Sequence, residues 1–530
     1  IFFRSTMGID VKAVAATVLA SAGLYLLYLR YQQLQPSQKA ISAKGSKCAV
    51  RTQHFINNEW VNSINGATFQ TINPATEEVL ATVQAADKAD VDCAVAAAKK
   101  ALFTWRDVPG STRRDLLLKL ANLMAEHQQE LAEWESRDNG KPVSVARDVD
   151  VALAIEHFRY FAGWADKGMQ GKTIPVSNTD SFAMTVHEPI GVVGCIIPWN
   201  FPIVMLAWKW APLIACGCTC VMKSSEKTPL TALMMCDLAL KAGFPPGVLN
   251  VVSGFGDTAG EAICRHPDIG KVCFTGSSAV GHKIAETAAK SPQLPRVTLE
   301  LGGKSPLIVC EDADLDEAAA VAHIGLFLNH GQCCCASSRI LVHESVHDEF
   351  VKKCVAKAKA VKLGTEEGKD QGPQVDKIQF DKVMGYIQSG KDEGAKCVLG
   401  GARAGKKGYF VQPTVFADVK DHMKIAKEEI FGPVMQLMKF STVEEAVERA
   451  NATDYGLAAG ICGTDISKMM GIAKRLNAGT VWINCYDDFD AAIPFGGFKA
   501  SGYGREKSEY ALANFTEVKT IQFPTVNFQA

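Results

Sequence analysis

The sequence has almost no net charge: 56 Lys and Arg against 57 Asp and Glu leave −1 over 530 residues. A protein that grips nucleic acid through its phosphates needs a basic surplus or stripe, and none stands out, so nucleic-acid binding is set aside. The dense, evenly paired cysteines of a small secreted domain are missing too. The 17 cysteines are odd in number and scattered over a long chain, which points to a reducing compartment. No second Cys/His pair stands at zinc-finger spacing. The alternating Cys216, Cys218 and Cys220, set in an apolar β-like run, therefore read as buried thiols, and no metal is expected. A complete G-x-G-x-x-G is also absent: after Gly254-Phe255-Gly256 the third glycine, Gly260, comes one place late. No short-period repeat is present.

What the sequence does hold is apolar substance. Hydrophobic residues make up 47% and charged residues 21%, enough for a large core, and the length suggests roughly two to four domains. The N-terminal region differs from the rest. Residues 13–29 form an apolar run between Lys12 and Arg30, and no Asp or Glu occurs between Asp10 and Glu59. The run is at the short end for a spanning helix. It is apolar on all sides, unlike an amphipathic mitochondrial presequence, and no A-x-A cleavage site directly follows it. The expectation is a hydrophobic helix anchoring the protein to a membrane through residues 13–29. The basic stretch after it would hold the rest on the cytosolic side, with a mitochondrial location as the alternative. A polar linker over 37–46 leads into the globular part.

There, residues 55–61 and 67–72 read as short strands around an Asn65-Gly66 turn, and 86–102 and 112–138 as amphipathic helices. From Gly191 onward, apolar strand-like runs (191–197, 218–222, 248–252, 272–274) alternate with helical ones (201–216, 230–242, 258–265, 281–290). Such alternation implies crossover units and a parallel sheet. A second series runs from Ser305 to about Ile483.

Three pieces of the first series suggest a dinucleotide. Gly254-Phe255-Gly256 lies between a strand and a helix, where a plain turn is the competing reading. Phe274-Thr275-Gly276-Ser277 opens a helix whose free N–H groups can meet a phosphate. Lys223 and Glu226 lie just past a strand. A lysine bonds ribose hydroxyls, and a carboxylate accepts from a 2′-hydroxyl but repels a 2′-phosphate, which favours NAD over NADP; a solvated loop charge is the alternative for Glu226.

Three other segments carry reactive groups. In Gly331-Gln332-Cys333-Cys334-Cys335, adjacent side chains of an extended chain point to opposite faces, which disfavours a chelate and leaves either a nucleophile or a buried thiol cluster. In Glu300-Leu301-Gly302-Gly303-Lys304, paired glycines let the backbone approach a ligand, and the carboxylate is a candidate general base or a structural ion-pair partner. In Pro198-Trp199-Asn200-Phe201-Pro202, two prolines fix a loop around one amide, a good donor to a developing oxyanion or simply part of a rigid turn.

These segments, with EEIFGPV at 428–434 and PFGGFKASGYGRE at 494–506, resemble the aldehyde dehydrogenase superfamily in order and spacing from about residue 52 to the C-terminus. GQCCC is similar to its class 1 and class 2 branch, the cytosolic, retinal-type and mitochondrial enzymes. The resemblance implies an α/β fold of two doubly wound parallel-sheet domains with a small β oligomerisation arm. Residues 51–166 and 190–301 would form the NAD-binding domain, 302–502 the catalytic domain, and 167–189 with 503–530 the arm of a homotetramer; 1–50 would be the hydrophobic segment and linker.

The resemblance further implies Cys334 as nucleophile, Asn200 and the Cys334 N–H as oxyanion hole, and Glu300 as the base that activates water. The implied NAD site is Ile197, Trp199, Lys223, Glu226, Gly256, Gly276, Ser277, Glu429 and Phe431, and Lys209 and Glu506 match a proton relay. The substrate tunnel would be Phe201, Met205, Trp208, Phe489 and Phe495, a lining that suits aliphatic, aromatic or retinal-like aldehydes. The absence of a basic residue among them argues against an acidic semialdehyde.

Departures from the pattern are Leu328 and His330, where close relatives carry Phe and Gln, and Ser337, where they carry Gly. His330 either packs or touches substrate. Asp488 and Asp490 make the substrate-side loop more acidic than expected. Three rival classes remain: an acylating enzyme that passes the acyl group to coenzyme A, an esterase, and a catalytically weak lens or binding protein of the same fold.

Overall fold

The computed structural model describes residues 50–177 and 180–525. Two large sheets organise them. The first has eight strands, in the order Glu59–Val61, His54–Ile56, Leu249–Ser253, Thr219–Ser224, Val192–Ile196, Lys271–Thr275, Arg296–Glu300 and Gly502–Tyr503. The run from Leu249–Ser253 to Arg296–Glu300 is parallel, and antiparallel strands close both edges. Its central strands are fully buried, which is why they are continuously apolar rather than alternating.

The chain enters this parallel block at Val192–Ile196, winds through Thr219–Ser224 and Leu249–Ser253, and then crosses back to Lys271–Thr275 on the other side of its starting strand. The strand order therefore reverses between Val192–Ile196 and Lys271–Thr275. In open α/β sheets the crevice beyond the carboxyl ends of such a pair is where ligands bind.

The second sheet has seven strands, ordered Lys396–Leu399, Thr414–Ala417, Val434–Phe440, Arg339–His343, Pro306–Val309, Ala458–Cys462 and Thr480–Ile483. All neighbours are parallel except the first pair. A three-stranded antiparallel sheet pairs Thr516–Pro524 with Ser181–Pro189, and Ser181–Pro189 with Thr173–Ile174.

The strands and helices expected after Gly191 are present within a few residues of their expected ends. Two N-terminal expectations are corrected. The single strand over 55–61 is a tight hairpin, because Asn57 and Asn58 take left-handed φ of 56° and 64°. The long helix over 112–138 is two, Gly110–Glu126 and Gln128–Asn139, broken at His127 (φ −106°, ψ 16°). The break lets the second helix turn so that Glu135, Asp138 and Asn139 become buried. The hydrophobic helix expected over 13–29 lies outside the described residues. Among the described residues, no helix is long and apolar enough to cross a membrane.

Candidate active site

A cavity of about 430 Å³ opens at the carboxyl ends of the two strands where the order reverses. It gathers Trp199, Asn200, Phe201, Met205, Trp208, Gly276, Ser277, Glu300, Cys334, Glu429, Phe431, Phe489 and Phe495. Leu328, Gln379 and Lys382 join them, whereas Ile197, Lys223, Glu226 and Gly256 do not line it. These four belong to the neighbouring strand ends: Ile197 N–H donates to the Lys223 carbonyl at 3.1 Å, and Lys223 Nζ reaches Glu226 at 3.4 Å.

Local sequence explains the arrangement. After Val192–Ile196 the Pro198–Pro202 loop turns into the helix Pro202–Ala215, with Pro202 in the first turn, where its missing N–H costs nothing. Residues 201, 205 and 208 follow at helical spacing, so Phe201, Met205 and Trp208 share one face and wall the cavity. Trp208 meets Phe495 at 5.5 Å and 63°, and Phe489 meets Phe495 at 5.6 Å and 70°, both edge-to-face.

Asn200 is 5% exposed and tied to the cysteine loop, its Nδ2 donating to the Gln332 carbonyl at 3.1 Å. Its own carbonyl accepts from Asn139 Nδ2 (3.3 Å), Lys141 Nζ (3.0 Å) and Asn329 Nδ2 (2.7 Å). Lys141 also forms a fully buried ion pair with Asp150 and lies 4.4 Å over the Phe201 ring. The sequence reading missed Asn139, Lys141 and Asn329. The Asn-Gly-Lys at 139–141 shows a helix end, but nothing in it reveals a partner some 60 positions downstream.

The cysteines sit in a turn, not a strand. Cys334 is half-buried and faces the cavity, while the sulfurs of Cys333 and Cys335 come within 3.5 Å of each other. Cys335 Sγ is 3.2 Å from Asp487 Oδ1, so the donor atoms of Cys333, Cys335 and Asp487 cluster, because the turn brings together side chains of a run whose neighbours an extended strand would send to opposite faces. Three consecutive residues before the cysteines, Asn329, His330 and Gly331, have φ of 50°, 59° and 74°. His330 packs: its Nδ1 accepts from Gly372 N–H at 2.9 Å, and burial pushes its pKa down to about 3.

Both glycines of 300–304 are required by close approach. A Cβ on Gly302 would lie 2.5 Å from the Glu429 carboxylate, and one on Gly303 would lie 2.4 Å from the Cys334 carbonyl oxygen. Glu429 accepts from Gly303 N–H at 2.9 Å. Glu300, 2% exposed, has no hydrogen-bond partner on either oxygen, and burial raises its pKa to about 7. The Cys334 thiol lies close enough to oppose that rise without meeting hydrogen-bond geometry. The Cys334 thiol is itself pushed well above its usual range, first by Cys333 and further by burial and the Glu300 carboxylate. Lys209 and Glu506 form a buried ion pair.

The same cavity suits a dinucleotide. Ser277 precedes the helix Ser278–Lys290 without capping it, which leaves the first-turn N–H groups for a phosphate. The buried Thr275 hydroxyl beside it has no partner. Trp199 and Phe431 meet edge-to-face at 5.3 Å and both line the cavity.

The aldehyde dehydrogenase family model matches residues 60–521. The chain belongs to the aldehyde dehydrogenase family. It is 55% identical over 474 residues to the mitochondrial aldehyde dehydrogenase of Rattus norvegicus, a match covering 88% of this chain and 91% of that one. It is 55% identical over 475 residues to aldehyde dehydrogenase 1A1 of Gallus gallus, covering 89% and 93%. Among solved structures, the NAD+ complex of aldehyde dehydrogenase from Bacillus cereus superposes with a TM-score of 0.88 at 50% identity, covering 89% of this chain and 96% of that one. The protein is an NAD-dependent aldehyde dehydrogenase, an α/β enzyme of parallel sheets. The expectation of a membrane anchor facing the cytosol is corrected. Several similar relatives are named as mitochondrial enzymes.

Proposed function

We propose that the enzyme oxidises apolar aldehydes to carboxylic acids through a thioester on Cys334. Cys334 Sγ adds to the carbonyl carbon as its proton leaves toward Glu300, and the carbonyl oxygen takes up the negative charge. Asn200 Nδ2 and the Cys334 N–H stabilise that oxyanion, and each such donor is worth about 3–4 kcal/mol in the transition state. NAD+, when bound, supplies the acceptor for the hydride that converts the adduct to a thioester. That first proton then passes outward from Glu300, and the restored carboxylate takes a proton from water. The hydroxyl oxygen bonds to the acyl carbon, the C–S bond breaks, and the thiol is restored as the acid departs. An unpartnered carboxylate with a pKa near 7 is suited to that exchange.

The cofactor would be held by Ser277 and Gly276 at the pyrophosphate, Glu429 at one ribose, Lys223 and Glu226 at the other, and Trp199 and Phe431 along the cleft, with Ile197 and Gly256 at the neighbouring strand ends. Lys209 and Glu506 would pass the proton outward. Residues 51–166 and 190–301 would form the NAD-binding domain, 302–502 the catalytic domain, and 167–189 with 503–530 an arm that builds a homotetramer. The exposed apolar side chains Val518, Ile521 and Phe523 on an edge strand support that arm. A mitochondrial setting follows the relatives so named.

The observation that carries the proposal is the convergence of Cys334, Glu300 and Asn200 on one apolar-walled cavity. Stopped-flow NADH absorbance tests it. Glu300→Gln is expected to give one NADH equivalent per active site and then stall, and Cys334→Ala to give none. Steady turnover by Cys334→Ala would overturn the mechanism.

A further inference from the structure

A second cavity, of about 340 Å³, adjoins the first and shares Leu153, Trp208 and Phe489 with it. It is also lined by Glu156, His157, Tyr160, Asp490, Ala491 and Lys507. Lys507, in the left-handed region at φ 63° and only 3% exposed, directly follows Glu506. Its ammonium rests on two aromatic faces, 4.8 Å from the Phe489 centroid and 5.4 Å from that of Trp208. It makes no hydrogen bond or ion pair, an unusual state for a buried cation.

No acid around it forms an ion pair with it, although Glu156 and Asp490 line the same cavity. Glu156 is paired with Arg159 at 2.6 Å, Asp490 accepts from Ala492 N–H at 2.7 Å, and Asp488 is exposed. His157, 1% exposed, has an Nε2 with no partner, and burial keeps its ring neutral. His157, with its unpartnered Nε2, and Lys507, whose ammonium rests on the shared Trp208 and Phe489 rings, thus line one cavity. Burial lowers Lys507 to about 8 against the opposing pull of Asp490, Cys335 and Asp488, so it is largely charged at neutral pH.

We propose that this cavity is a distal subsite for the carboxylate of an ω-carboxylated aldehyde. The anion would sit between the Lys507 ammonium and the His157 imidazole while the aldehyde end reaches Cys334. The inference rests on the reading of Cys334 as nucleophile and supplies the basic residue that the tunnel positions lack. An apolar chain bridging the two ends would lie along Trp208 and Phe489.

The test compares plain aldehydes from pentanal to decanal with ω-oxo acids of the same lengths, in the wild type and in Lys507→Met. At some chain length the wild type is expected to favour the ω-oxo acid in kcat/KM by about tenfold, the worth of one charged hydrogen bond. Lys507→Met is expected to erase that ratio. Because both substrates are read in one preparation, a lower folded fraction in the variant cancels. Lys507→Arg, which keeps the charge, should retain part of the preference. A wild type that oxidises plain aldehydes yet favours no ω-oxo acid overturns the subsite alone, as does a preference that survives Lys507→Met. A wild type that oxidises neither overturns the parent reading and the subsite with it.

Discussion

The two large sheets serve the same cavity in opposite ways. The first delivers its groups from the ends of parallel strands: Asn200 four residues past Ile196, Ser277 two past Thr275, and Glu300 on the last residue of its own strand. The second delivers Cys334 and Glu429 from irregular loops, where Asn329, His330 and Gly331, and separately Phe431, adopt left-handed backbone. Ladder hydrogen bonds fix Glu300 and the strands from which Asn200 and Ser277 follow. The second set is held by contacts reaching across from the first: Asn200 to Gln332, Asn329 to Asn200, and Gly303 to Glu429. One half is therefore rigid by construction and the other by tethering. Strained backbone survives only where its surroundings over-determine it.

This contrast can be broken most severely at Asn200, which tethers the cysteine loop and, in the proposed mechanism, donates to the oxyanion. Asn200→Ala is expected to lower kcat by about 10²- to 10³-fold, measured in steady state with saturating NAD+. A loss under about threefold would mean the cysteine loop holds itself. Next comes Lys141, buried against Asp150 beneath the same carbonyl. Lys141→Met leaves an uncompensated buried carboxylate and should cost about 3–5 kcal/mol in denaturant unfolding, since broken buried pairs cost far more than exposed ones. Gly303→Ala forces a Cβ against the Cys334 carbonyl. It should cost about 1–3 kcal/mol and slow acylation more than NAD+ binding.

The pH dependence sharpens the comparison further. Glu300 cannot accept a proton while protonated. Single-turnover deacylation should therefore rise about tenfold per unit below its pKa of about 7 and level off above it, the slope of one ionisation. A flat profile from pH 5 to 8 would remove Glu300 as the base. The smallest effect belongs to the regular half. Glu226→Gln should leave kcat with NAD+ nearly intact and improve KM for NADP+ several-fold, through the loss of one repelling charge.

The same contrast governs how far the sequence can be read. The buried parallel strands write themselves as unbroken apolar runs, and the helix face of Phe201, Met205 and Trp208 as a spacing, because both depend on neighbours in the chain. The hairpin at Asn57 and Asn58 and the break at His127 escape, since a left-handed pair and a single bridge-region residue leave no periodic trace. The residues that tether the thiol loop escape for a different reason. Asn139, Lys141 and Asn329 act on a backbone carbonyl 59 to 129 positions away, and no local pattern encodes such a partner. Lys507 escapes as well, because its meaning lies in the rings it faces, which come from other parts of the chain.

Residues 302 and 303 nest directly beneath both Glu429 and the Cys334 carbonyl. That dipeptide works as a shared pivot: whichever loop shifts first, the displacement passes through two residues without side chains to absorb it. In the proposed mechanism, a shift of Glu429 on nucleotide release would therefore press on the loop that carries the acyl group.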